Sequence, residues 1–530
     1  MSVQSDLAIV SVEQMRALEQ RAFEAGLSET TLQHNAAAAV ALTAERADPA
    51  RGTAVVLIGP GNNGRDAFLA GRLLAAAGRE VVYVLGPRHA VAEVELGGLD
   101  PVRECAFQVS NADEVWRLRQ ELARASLVLD GLLGIGVRGP LRAPLDGLAV
   151  ALNEARATGA PRVVSVDVPS GIDADTGGVP GAAVRADLTV ALGAVKQGCI
   201  RFPALELVGE LVPSRIGLPA GADVDCPLRL LSSESVSGLI PGRPLASHKG
   251  SLGWVLVVGG SREYLGAPIL SASAAARSGC GLVALGVPPR VQLAAAASLP
   301  EATYLLLEDD SPPADQAAAV LHRLGSFQAL LVGPGLGRDE RAHELVKRVL
   351  SGLAERHAPG PIPTVIDADA LYVLAGWDSW WSQIPPGCVL TPHYGEMARL
   401  SGRSAAEVSE RNWEIALERA AAWQQIVVLK GPQTVVATPD GRAWVHSYAN
   451  PGLATAGSGD VLAGLIVGLA AQGLAAADAA RLAVAVHGRA GAEVLASNRW
   501  QSLIASDLVG ALPRVLNDLS RSVRDAPTGP

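Results

Sequence analysis

The chain has 530 residues, which is too long for one ordinary domain and indicates two large ones. Acidic side chains (53) outnumber basic ones (44), and no long basic run occurs, which argues against a nucleic-acid partner and against an anionic membrane surface. The five cysteines are scattered without a CxxC pair, which argues against a disulfide framework or a zinc site and favours a reducing compartment.

The first half of the chain predicts an α/β domain. Short β-branched runs, typical of buried strands, alternate with helical patterns over 66–77 and 112–125. Strands alternating with helices indicate a doubly wound parallel sheet, in which ligands bind beyond the carboxyl ends of the strands. The predicted strands are Thr53–Ile58, Val81–Leu85, Leu127–Asp130, Val163–Asp167 and Leu188–Leu192.

Polar loops follow three of these strands. The loop Gly59-Pro-Gly-Asn-Asn-Gly-Arg-Asp66 opens a helix and can offer N–H groups and two amides to a phosphate, although it lacks GxGxxG spacing. A tight turn without a ligand is the alternative for this loop. Asp130 and Asp167 each stand beside a glycine turn, where each alone could be a helix cap or a turn residue. Taken together, they predict oxygen atoms that converge to hold a cation, with one carboxylate free to act as a base.

A segment rich in Gly, Pro and Asp (216–228) predicts a linker with a boundary near residue 225. We therefore expect two domains, 1–225 and 226–530. The second half repeats the alternation and ends in a helical pattern from Val461 to Leu495, followed by a tail from Arg521 that we expect to fray. Its predicted strands are Trp254–Val258, Leu282–Gly286, Ala329–Val332, Thr364–Asp367, Cys388–Leu390, Ile426–Leu429 and Thr434–Ala437.

The hydrophobic pattern predicts no membrane span. The most apolar stretch, Val461–Ala480, is interrupted by Gln472 and Asp478 and predicts a buried core helix. The first twenty residues carry polar and charged side chains where a signal peptide has an apolar block. We expect a soluble cytoplasmic protein whose partners are small molecules, with neither nucleic acid nor membrane among them.

The segment Asn450–Asp460 places three glycines and one carboxylate directly before an apolar helix. Gly457 and Gly459 allow the backbone to gather N–H groups into one concavity, and the helix start adds its positive end, which suits a phosphoryl group. A carboxylate repels phosphate, so Asp460 is best interpreted as a base for a hydroxyl that attacks phosphorus. The segment therefore predicts phosphoryl transfer.

Other strand ends of the second half carry matching polar groups. His393 follows the predicted strand Cys388–Leu390, and Lys430 with Gly431 follows Ile426–Leu429 as a cradle for nucleotide phosphate. An ordinary polar residue and a solvated turn lysine are the respective alternatives. The sequence has no GxxxxGK[ST], so a P-loop nucleotidase is not predicted.

The first half closely resembles the NAD(P)H-hydrate epimerase family over about residues 10–220. The segments that carry the resemblance are 62–66, the Asp130 segment and 166–173. The resemblance implies a Rossmann-like three-layer αβα domain that binds a hydrated nicotinamide nucleotide, with Asp167 as the acid/base group and Asp66 as a second candidate. It implies potassium bound by Asn63, Asp130 and Ser170. The implied substrate contacts are Asn62, Asn63, Gly64, Arg65, Asp66, Gly134, Ile135, Gly136, Val137, Arg138, Gly139, Pro140 and Asp167. The family commonly has glycine at position 65, and the Arg65 side chain could crowd the pocket or add a phosphate contact.

The second half resembles the NAD(P)H-hydrate dehydratase family, on a ribokinase-like α/β fold, over about residues 230–515. The matching segments are Gly-Pro-Gly-Leu-Gly, Asp-Ala-Asp-Ala-Leu, Thr-Pro-His, Lys-Gly-Pro-Gln-Thr and Gly-Ser-Gly-Asp. The resemblance implies that Asp460 takes a proton from the C6 hydroxyl of the hydrate. The oxygen of this hydroxyl would then attack the terminal phosphoryl group of ADP, and Mg²⁺ would bind the donor phosphates. Implied substrate contacts are Ala267, Gly337, His393 and Asp460, and implied nucleotide contacts are Lys430, Gly431, Pro432, Gln433, Thr434 and Gly459.

Together the resemblances imply a bifunctional enzyme of nicotinamide-nucleotide repair, which we expect to form a homo-oligomer. It would interconvert the R and S hydrates of NADH and NADPH and dehydrate the S form at the expense of ADP. A small-molecule kinase that keeps its phosphorylated product is one alternative. A non-catalytic binding module in the N-terminal half, suggested by Arg65, is the other.

Overall fold

A computed structural model describes residues 7–136, 138–159, 161–356, 361–446, 449–498 and 502–524. Residues 7–228 form one compact unit and residues 229–530 contribute the other. Within these ranges, no helix is both long and apolar enough to cross a membrane.

The first unit is built on a parallel sheet. Its strands are β1 (Ile9–Val10), β2 (Thr53–Ile58), β3 (Val81–Leu85), β4 (Glu104–Gln108), β5 (Ala125–Gly131), β6 (Arg162–Val166), β7 (Leu188–Leu192), β8 (Val195–Lys196) and β9 (Glu210–Ser214). Its helices are α1 (Val12–Glu24), α2 (Glu29–Ala47), α3 (Asn62–Ala76), α4 (Glu93–Leu96), α5 (Val115–Leu122), α6 (Leu145–Ala157) and α7 (Leu205–Val208).

Seven of these strands pair in the order β4-β3-β2-β5-β6-β7-β9, all parallel, and β1 pairs with β8. Separate apolar clusters cover the two faces of the sheet, one with α2 and α3 and the other with α5 and α6. The strand order reverses between β2 and β5, so the loops that leave these two strands flank a crevice at the carboxyl edge.

The second unit has a larger, mixed sheet. Its strands are β10 (Leu228–Leu231), β11 (Trp254–Val258), β12 (Leu282–Val287), β13 (Thr303–Leu306), β14 (Ala329–Val332), β15 (Thr364–Ile366), β16 (Val389–Leu390), β17 (Ile426–Leu429), β18 (Val435–Ala437) and β19 (Ala443–His446). Its helices are α8 (Ser233–Ser237), α9 (Gly266–Arg277), α10 (Pro289–Ser298), α11 (Pro313–Arg323), α12 (Glu340–Ala354), α13 (Asp369–Ala375), α14 (Tyr394–Ser401), α15 (Ala405–Glu410), α16 (Asn412–Trp423), α17 (Ser458–Ala471), α18 (Ala476–Asn498) and α19 (Ala505–Arg524).

The ten strands run in the order β10-β19-β18-β17-β16-β15-β14-β11-β12-β13. Strands β11 to β17 pair in parallel, and β17, β18 and β19 pair antiparallel. The order reverses between β11 and β14, which places a second crevice beside the loops that follow them. The predicted α/β fold is confirmed.

The apolar run that begins at Val461 is a core helix, as predicted, but it is shorter than predicted. Helix α17 ends at Ala471, Gly473 adopts a left-handed φ of +95°, and α18 begins at Ala476. A methyl group at Gly464 would lie 2.1 Å from the Ser271 carbonyl oxygen, so glycine lets α17 pack directly against α9.

Other boundaries also differ from the predictions, and two of these differences have an evident cause. Over 112–125 a 3₁₀ turn (Ala112–Glu114) precedes α5, which ends at Leu122, because β5 already starts at Ala125. The prediction that the chain frays from Arg521 is wrong for residues 521–524, because helix α19 continues to Arg524. This helix is strongly amphipathic, and its packing is stabilised by burial of Leu508, Leu512, Val515 and Leu519.

Candidate active sites

Glycines bring the loop after β2 against the loop after β5. A methyl group at Gly59 would lie 1.7 Å from the Leu132 carbonyl oxygen, and one at Gly64 would lie 2.2 Å from the Gly59 carbonyl oxygen. Only glycine fits at either position, since neither backbone contact could give way. The first turn of α3, with Asn62 and Asn63, is thereby held at the crevice of the sheet.

Asp130, Ser170 and Asn63 meet around the backbone of Leu133. Ser170 Oγ donates to Asp130 Oδ1 (2.6 Å) and accepts from the Leu133 N–H (2.9 Å), while Asn63 Nδ2 donates to the Leu133 carbonyl (3.1 Å). Asp130 is fully buried, and its other oxygen accepts from the Ser165 hydroxyl (2.8 Å) and the Ser170 N–H (2.9 Å). Among the described residues no cation pairs with it, and burial raises its pKa.

Asp167 forms an ion pair with Lys196, a residue that the sequence interpretation missed. Asp167 has a left-handed φ of +66°, unusual outside glycine, and one of its oxygens accepts from both Lys196 Nζ and the Leu192 N–H. Lys196 is 1% exposed, and its ammonium also donates to the carbonyls of Leu192 (2.8 Å) and Ala194 (3.1 Å). The signal in the sequence is that Lys196 is the lone charged residue in the largely apolar stretch from Leu188 to Ile200.

A cavity of about 650 Å³ opens beside this pair. Asp66 and Glu19 both line it. Burial first, then the charges of Asp167 and Glu19, raise the pKa of Asp66 to about 8, and burial raises the pKa of Glu19. A cavity that holds two carboxyl groups with raised pKa values is suited to acid–base chemistry.

The predicted substrate contacts are distributed unevenly around the cavity. Asn62, Asn63, Asp66, Gly134, Ile135, Gly136 and Asp167 line it. Gly64, Arg138, Gly139 and Pro140 are not among its lining residues, and Val137 lies outside the described residues. Arg65 also stands apart, because its guanidinium binds both carboxylate oxygens of Glu95 at 2.6 Å.

In the second unit, Lys430 is bound to Asp367. Its Nζ lies 2.8 Å from Asp367 Oδ1, which also accepts from the Thr391 hydroxyl (2.7 Å). Burial lowers the pKa of Lys430, but the carboxylates of Asp367 and Glu396 outweigh it, so the pKa is raised. Gly333 has φ +128°, and a methyl group there would lie 1.8 Å from the Asp367 carbonyl oxygen, so the glycine loop closes over this aspartate.

Asp460 stands in the first turn of α17. The helix is preceded by Gly457 in a left-handed conformation (φ +87°), and the Ser271 hydroxyl donates to the Asp460 carbonyl (3.0 Å). A methyl group at Gly459 would lie 3.0 Å from Lys430 Nζ, so glycine leaves room for the lysine beside the helix start. Burial, followed by the charge of Asp367, raises the pKa of Asp460 to about 7.

His393 caps α14 as a neutral side chain. Its Nδ1 accepts from the N–H groups of Gly395 (3.0 Å) and Glu396 (3.3 Å), so this nitrogen carries no proton. Burial and the charge of Lys430 lower its pKa. A backbone bridge joins His393 to Lys430 and brings the two predicted loops together.

Gly337 and Ala267 lie at the crevice between β11 and β14. The Gly337 N–H donates to Asp369 (3.0 Å), which also pairs with Arg338 (3.0 Å). Ser261, facing Gly337, has a buried hydroxyl oxygen without a hydrogen-bond partner among the described residues. Arg338, Asp369 and Ser261 were not among the predicted site residues, although Asp369 belongs to the Asp-Ala-Asp-Ala-Leu segment and Arg338 directly follows Gly-Pro-Gly-Leu-Gly.

The Lys430–Thr434 loop borders a small cavity of about 50 Å³. Gly431, Pro432 and Thr434 line it together with Asn450 and His487. The His487 Nε2 lies 3.0 Å from the Ser458 carbonyl oxygen, and burial lowers its pKa to about 4, so it is neutral. The buried Gln433 also has an amide nitrogen with no hydrogen bond among the described residues.

The two halves of the chain match two family models. Residues 29–198 match a family described as YjeF-related protein N-terminus, and residues 255–514 match one described as NAD(P)H-hydrate dehydratase. Both matches cover the loops that carry the sites.

Relatives match nearly the whole chain. It is 36% identical over 521 residues to the bifunctional NAD(P)H-hydrate repair enzyme Nnr of Thermofilum pendens, 97% of each chain. The enzymes of the same name from Moorella thermoacetica and Coxiella burnetii are 36% and 35% identical, over 88% and 95% of this chain and 88% and 98% of theirs. A crystal structure of the ADP/ATP-dependent NAD(P)H-hydrate dehydratase of Bacillus subtilis, co-crystallised with ATP and Mg²⁺, is 32% identical over 55% of this chain and 98% of its own, with a TM-score of 0.46.

Proposed function

The chain belongs to the family of bifunctional NAD(P)H-hydrate repair enzymes, and we propose that its two α/β units divide the two reactions of that family between them. The first unit interconverts the R and S hydrates of NADH and NADPH in the cavity beside Asp167. The second unit dehydrates the S form at the expense of ADP. The observation that carries the second assignment is the carboxylate of Asp460, half-buried at a helix start beside Lys430.

In the first cavity, Asp167 acts as an acid/base group. Its carboxylate borders the cavity and is fixed by Lys196, whose three N–H groups are all used. The turn at Asn62 and Asn63 provides N–H groups at the start of α3, which suit the phosphates of a dinucleotide. Gly134 and Gly136 also line the cavity, and a methyl group at Gly134 would lie 3.0 Å from Asn63 Cβ, so glycine leaves room beside this turn.

A potassium ion fits beside Asp130. The cluster offers oxygen atoms of Asn63, Asp130 and Ser170 within one small region, and oxygen is what alkali cations prefer. The fully buried Asp130 also lacks a counter-charge among the described residues. Bound there, potassium would neutralise Asp130 and fix the turn after β5 that borders the cavity.

In the second unit, Asp460 takes the proton of the C6 hydroxyl of the hydrate. A pKa of about 7 matches this task at neutral pH, because the carboxylate is available and still basic. The hydroxyl oxygen attacks the terminal phosphorus of ADP, and the N–H groups at the start of α17 stabilise the charge on the transferred group. Phosphate then leaves C6 with its electron pair, and loss of a proton from C5 restores the dihydronicotinamide.

The surrounding residues hold the two substrates. Lys430 binds the donor phosphates, and the loop from Gly431 to Thr434 contacts the nucleotide together with Gly459. Ala267, Gly337 and His393 contact the hydrate; a neutral His393 carries its N–H at Nε2, 3.5 Å from Glu396 Oε1, and can donate a hydrogen bond to the hydrate in its place.

A magnesium ion would offset the negative charge of the carboxyl groups in this crevice. The charges of Asp367, Asp369 and Glu396 all act on Asp460 and raise its pKa. Among the described residues, no three His, Cys, Asp or Glu side chains are grouped to enclose a metal, so the ion would be held mainly by donor phosphates. Bound there, it would neutralise charge on the transferred phosphoryl group.

Complementary variants test the division of labour. Asp460→Asn should stop dehydration of the S hydrate and leave epimerisation unchanged, and Asp167→Asn should do the reverse. The two reactions are followed separately, by chromatography of the epimers and by absorbance of the dihydronicotinamide. Loss of both reactions in either variant would contradict the division, and accumulation of a phosphorylated product by the unaltered chain would favour the kinase alternative.

A further inference from the structure

Four carboxyl groups and two basic groups line the first cavity. Arg16 and Glu29 are exposed, whereas Glu19, Asp66 and Asp167 are at least partly buried, together with the ammonium group of Lys196. Lys196 is committed to Asp167 and to two carbonyl oxygens, so it has no N–H left for Glu19 and Asp66. With all three partly buried carboxyls ionised, they and Lys196 would carry a net charge of two negative units in a site shielded from water, which is unfavourable.

Asp66 is the least accessible unpaired carboxyl of this group. The residue is 8% exposed, and its buried Oδ1 has no hydrogen-bond partner among the described residues, although it borders the cavity. Burial first, then Asp167 and Glu19, raise its pKa to about 8, against the smaller opposing effects of Lys196 and Arg65. Arg65 is bound to Glu95, which limits its effect. Asp66 is therefore protonated at neutral pH.

Glu19 lies on α1, upstream of the segment that matches the family model. Its carboxyl group makes no hydrogen bond or ion pair with the described residues, and it is half-buried at the cavity wall. The charged groups that act on it are Lys196, Asp167, Arg16 and Glu29. The negative charge of Glu19 acts in turn on Asp66 and favours the protonated form of that carboxyl.

We propose that Asp66 is the general acid of the epimerisation, opposite the Asp167 base, and that Glu19 is a positioning residue that keeps Asp66 protonated. The inference rests on the assignment of the epimerase reaction to this cavity. The proposal depends on the contrasting environments of two carboxyl groups. Asp167 lies beside the buried ammonium of Lys196 and acts as the base, whereas Asp66 has no partner among the described residues and acts as the acid.

The reaction then follows from the C6 hydroxyl of the hydrate. Asp66 gives its proton to this hydroxyl, the C6–O bond breaks with its electrons leaving on water, and the lone pair of ring N1 forms the C6=N1 double bond. A water molecule adds to C6 from the other face and gives its proton to Asp167, while the π electrons return to N1. Proton exchange through water resets the two carboxyls, and they exchange roles in the reverse reaction.

Substitution of each carboxyl gives a distinct result in the full chain. Asp66→Asn should lower the kcat of epimerisation by about 10²–10⁴-fold, the usual contribution of a general acid. Glu19→Gln should retain activity at pH 6.5 but move the basic limb of the pH–kcat profile to lower pH by about half to one unit, because a like charge near Asp66 is lost. Glu13→Gln on the exposed side of α1 should leave the limb in place.

Solvent oxygen gives an independent measurement. In H₂¹⁸O, single-turnover epimerisation should place ¹⁸O at C6 of the product, because C6–O cleavage is required, and product that retains its original oxygen would overturn the proposal.

An unshifted basic limb in Glu19→Gln, or wild-type kcat in Asp66→Asn, would also overturn it while leaving the epimerase assignment intact. Absence of epimerisation in the unaltered chain would overturn that assignment and the proposal together. Unchanged dehydration of the S hydrate serves as the control for an intact second unit.

Discussion

The ammonium group of Lys196 binds the carboxylate of Asp167 across 29 positions of the chain, inside the first unit. Lys196 is 1% exposed, and its remaining N–H groups reach the carbonyls of Leu192 and Ala194. A buried ion pair with every donor used is stable only while both partners are present, because either charge alone would stay buried without compensation.

Lys196→Met should therefore destabilise the first unit by about 3–5 kcal/mol, since it leaves Asp167 unpaired. Hydrogen exchange of the amides of β6 and β7 in the full chain localises the loss to this unit. The double variant Lys196→Met/Asp167→Asn removes both charges and should recover most of the stability. Equal instability of the single and double variants would show that packing, and not the ion pair, is what Lys196 contributes.

The dehydration rate should depend on the ionisation of Asp460. The base is active when deprotonated, and its pKa is raised to about 7, so the rate should rise as pH increases to about 7 and level off above it. Initial rates with the S hydrate, ADP and Mg²⁺ between pH 5 and 9 measure this. Asp460→Asn should remove the activity, while Asp310→Asn at an exposed position should keep both rate and profile. A rate that is flat from pH 5 to 9 would exclude Asp460 as the base.

Gly459→Ala should weaken nucleotide binding. The added methyl group would lie 3.0 Å from Lys430 Nζ, and Asp367 holds that ammonium in place, so the lysine must shift from its position beside α17. We expect the KM for ADP to rise about tenfold, the loss of about one charge-assisted hydrogen bond. Gly325→Ala, where a methyl group meets no atom within 4 Å, is the matched control. An unchanged KM for ADP would mean that Lys430 does not bind the donor phosphates.

Arg65 stands where the family commonly has glycine, and Arg65→Gly tests whether its side chain affects substrate binding. The guanidinium is bound to Glu95 and does not line the cavity, so we expect less than a twofold change in the KM for the R hydrate. The pair is partly exposed (27% and 29%), so its loss should lower stability by less than about 1 kcal/mol, and the glycine inside α3 should lower it by up to about 1 kcal/mol more. A tenfold increase in KM would instead show that Arg65 leaves Glu95 to contact the substrate, as the sequence interpretation allowed.

The fold was largely predictable from the sequence because its central strands are buried on both faces. Strands β2, β3, β7, β11, β14 and β17 coincide with continuous apolar runs and were predicted with their observed bounds. The edge strand β4 was missed because its sequence, Glu-Cys-Ala-Phe-Gln, is polar and exposed. Helix α19 was also missed, although Leu508, Leu512, Val515 and Leu519 recur at helical spacing and mark an amphipathic helix in the sequence.

The candidate sites were predicted where polar residues follow strands, and missed where a partner lies elsewhere in the chain. Asp130, Asp167, Lys430 and Asp460 belong to segments whose glycines and charged residues stand out in the sequence. Glu19 does not stand out, because it is one of several charged residues on a surface helix, and only the folded chain places it beside Asp66. Pairings between distant segments depend on the strand order, which no local pattern contains.

The most direct test of the account supplies the full chain with a mixture of R and S hydrates of NADH, together with ADP, Mg²⁺ and K⁺. Absorbance of the dihydronicotinamide reports the product as it forms. The account predicts complete recovery of both epimers as NADH, with phosphate released and no phosphorylated nucleotide hydrate remaining. Recovery of the S form alone would contradict an epimerase in the first unit, and recovery of neither would contradict the repair function itself.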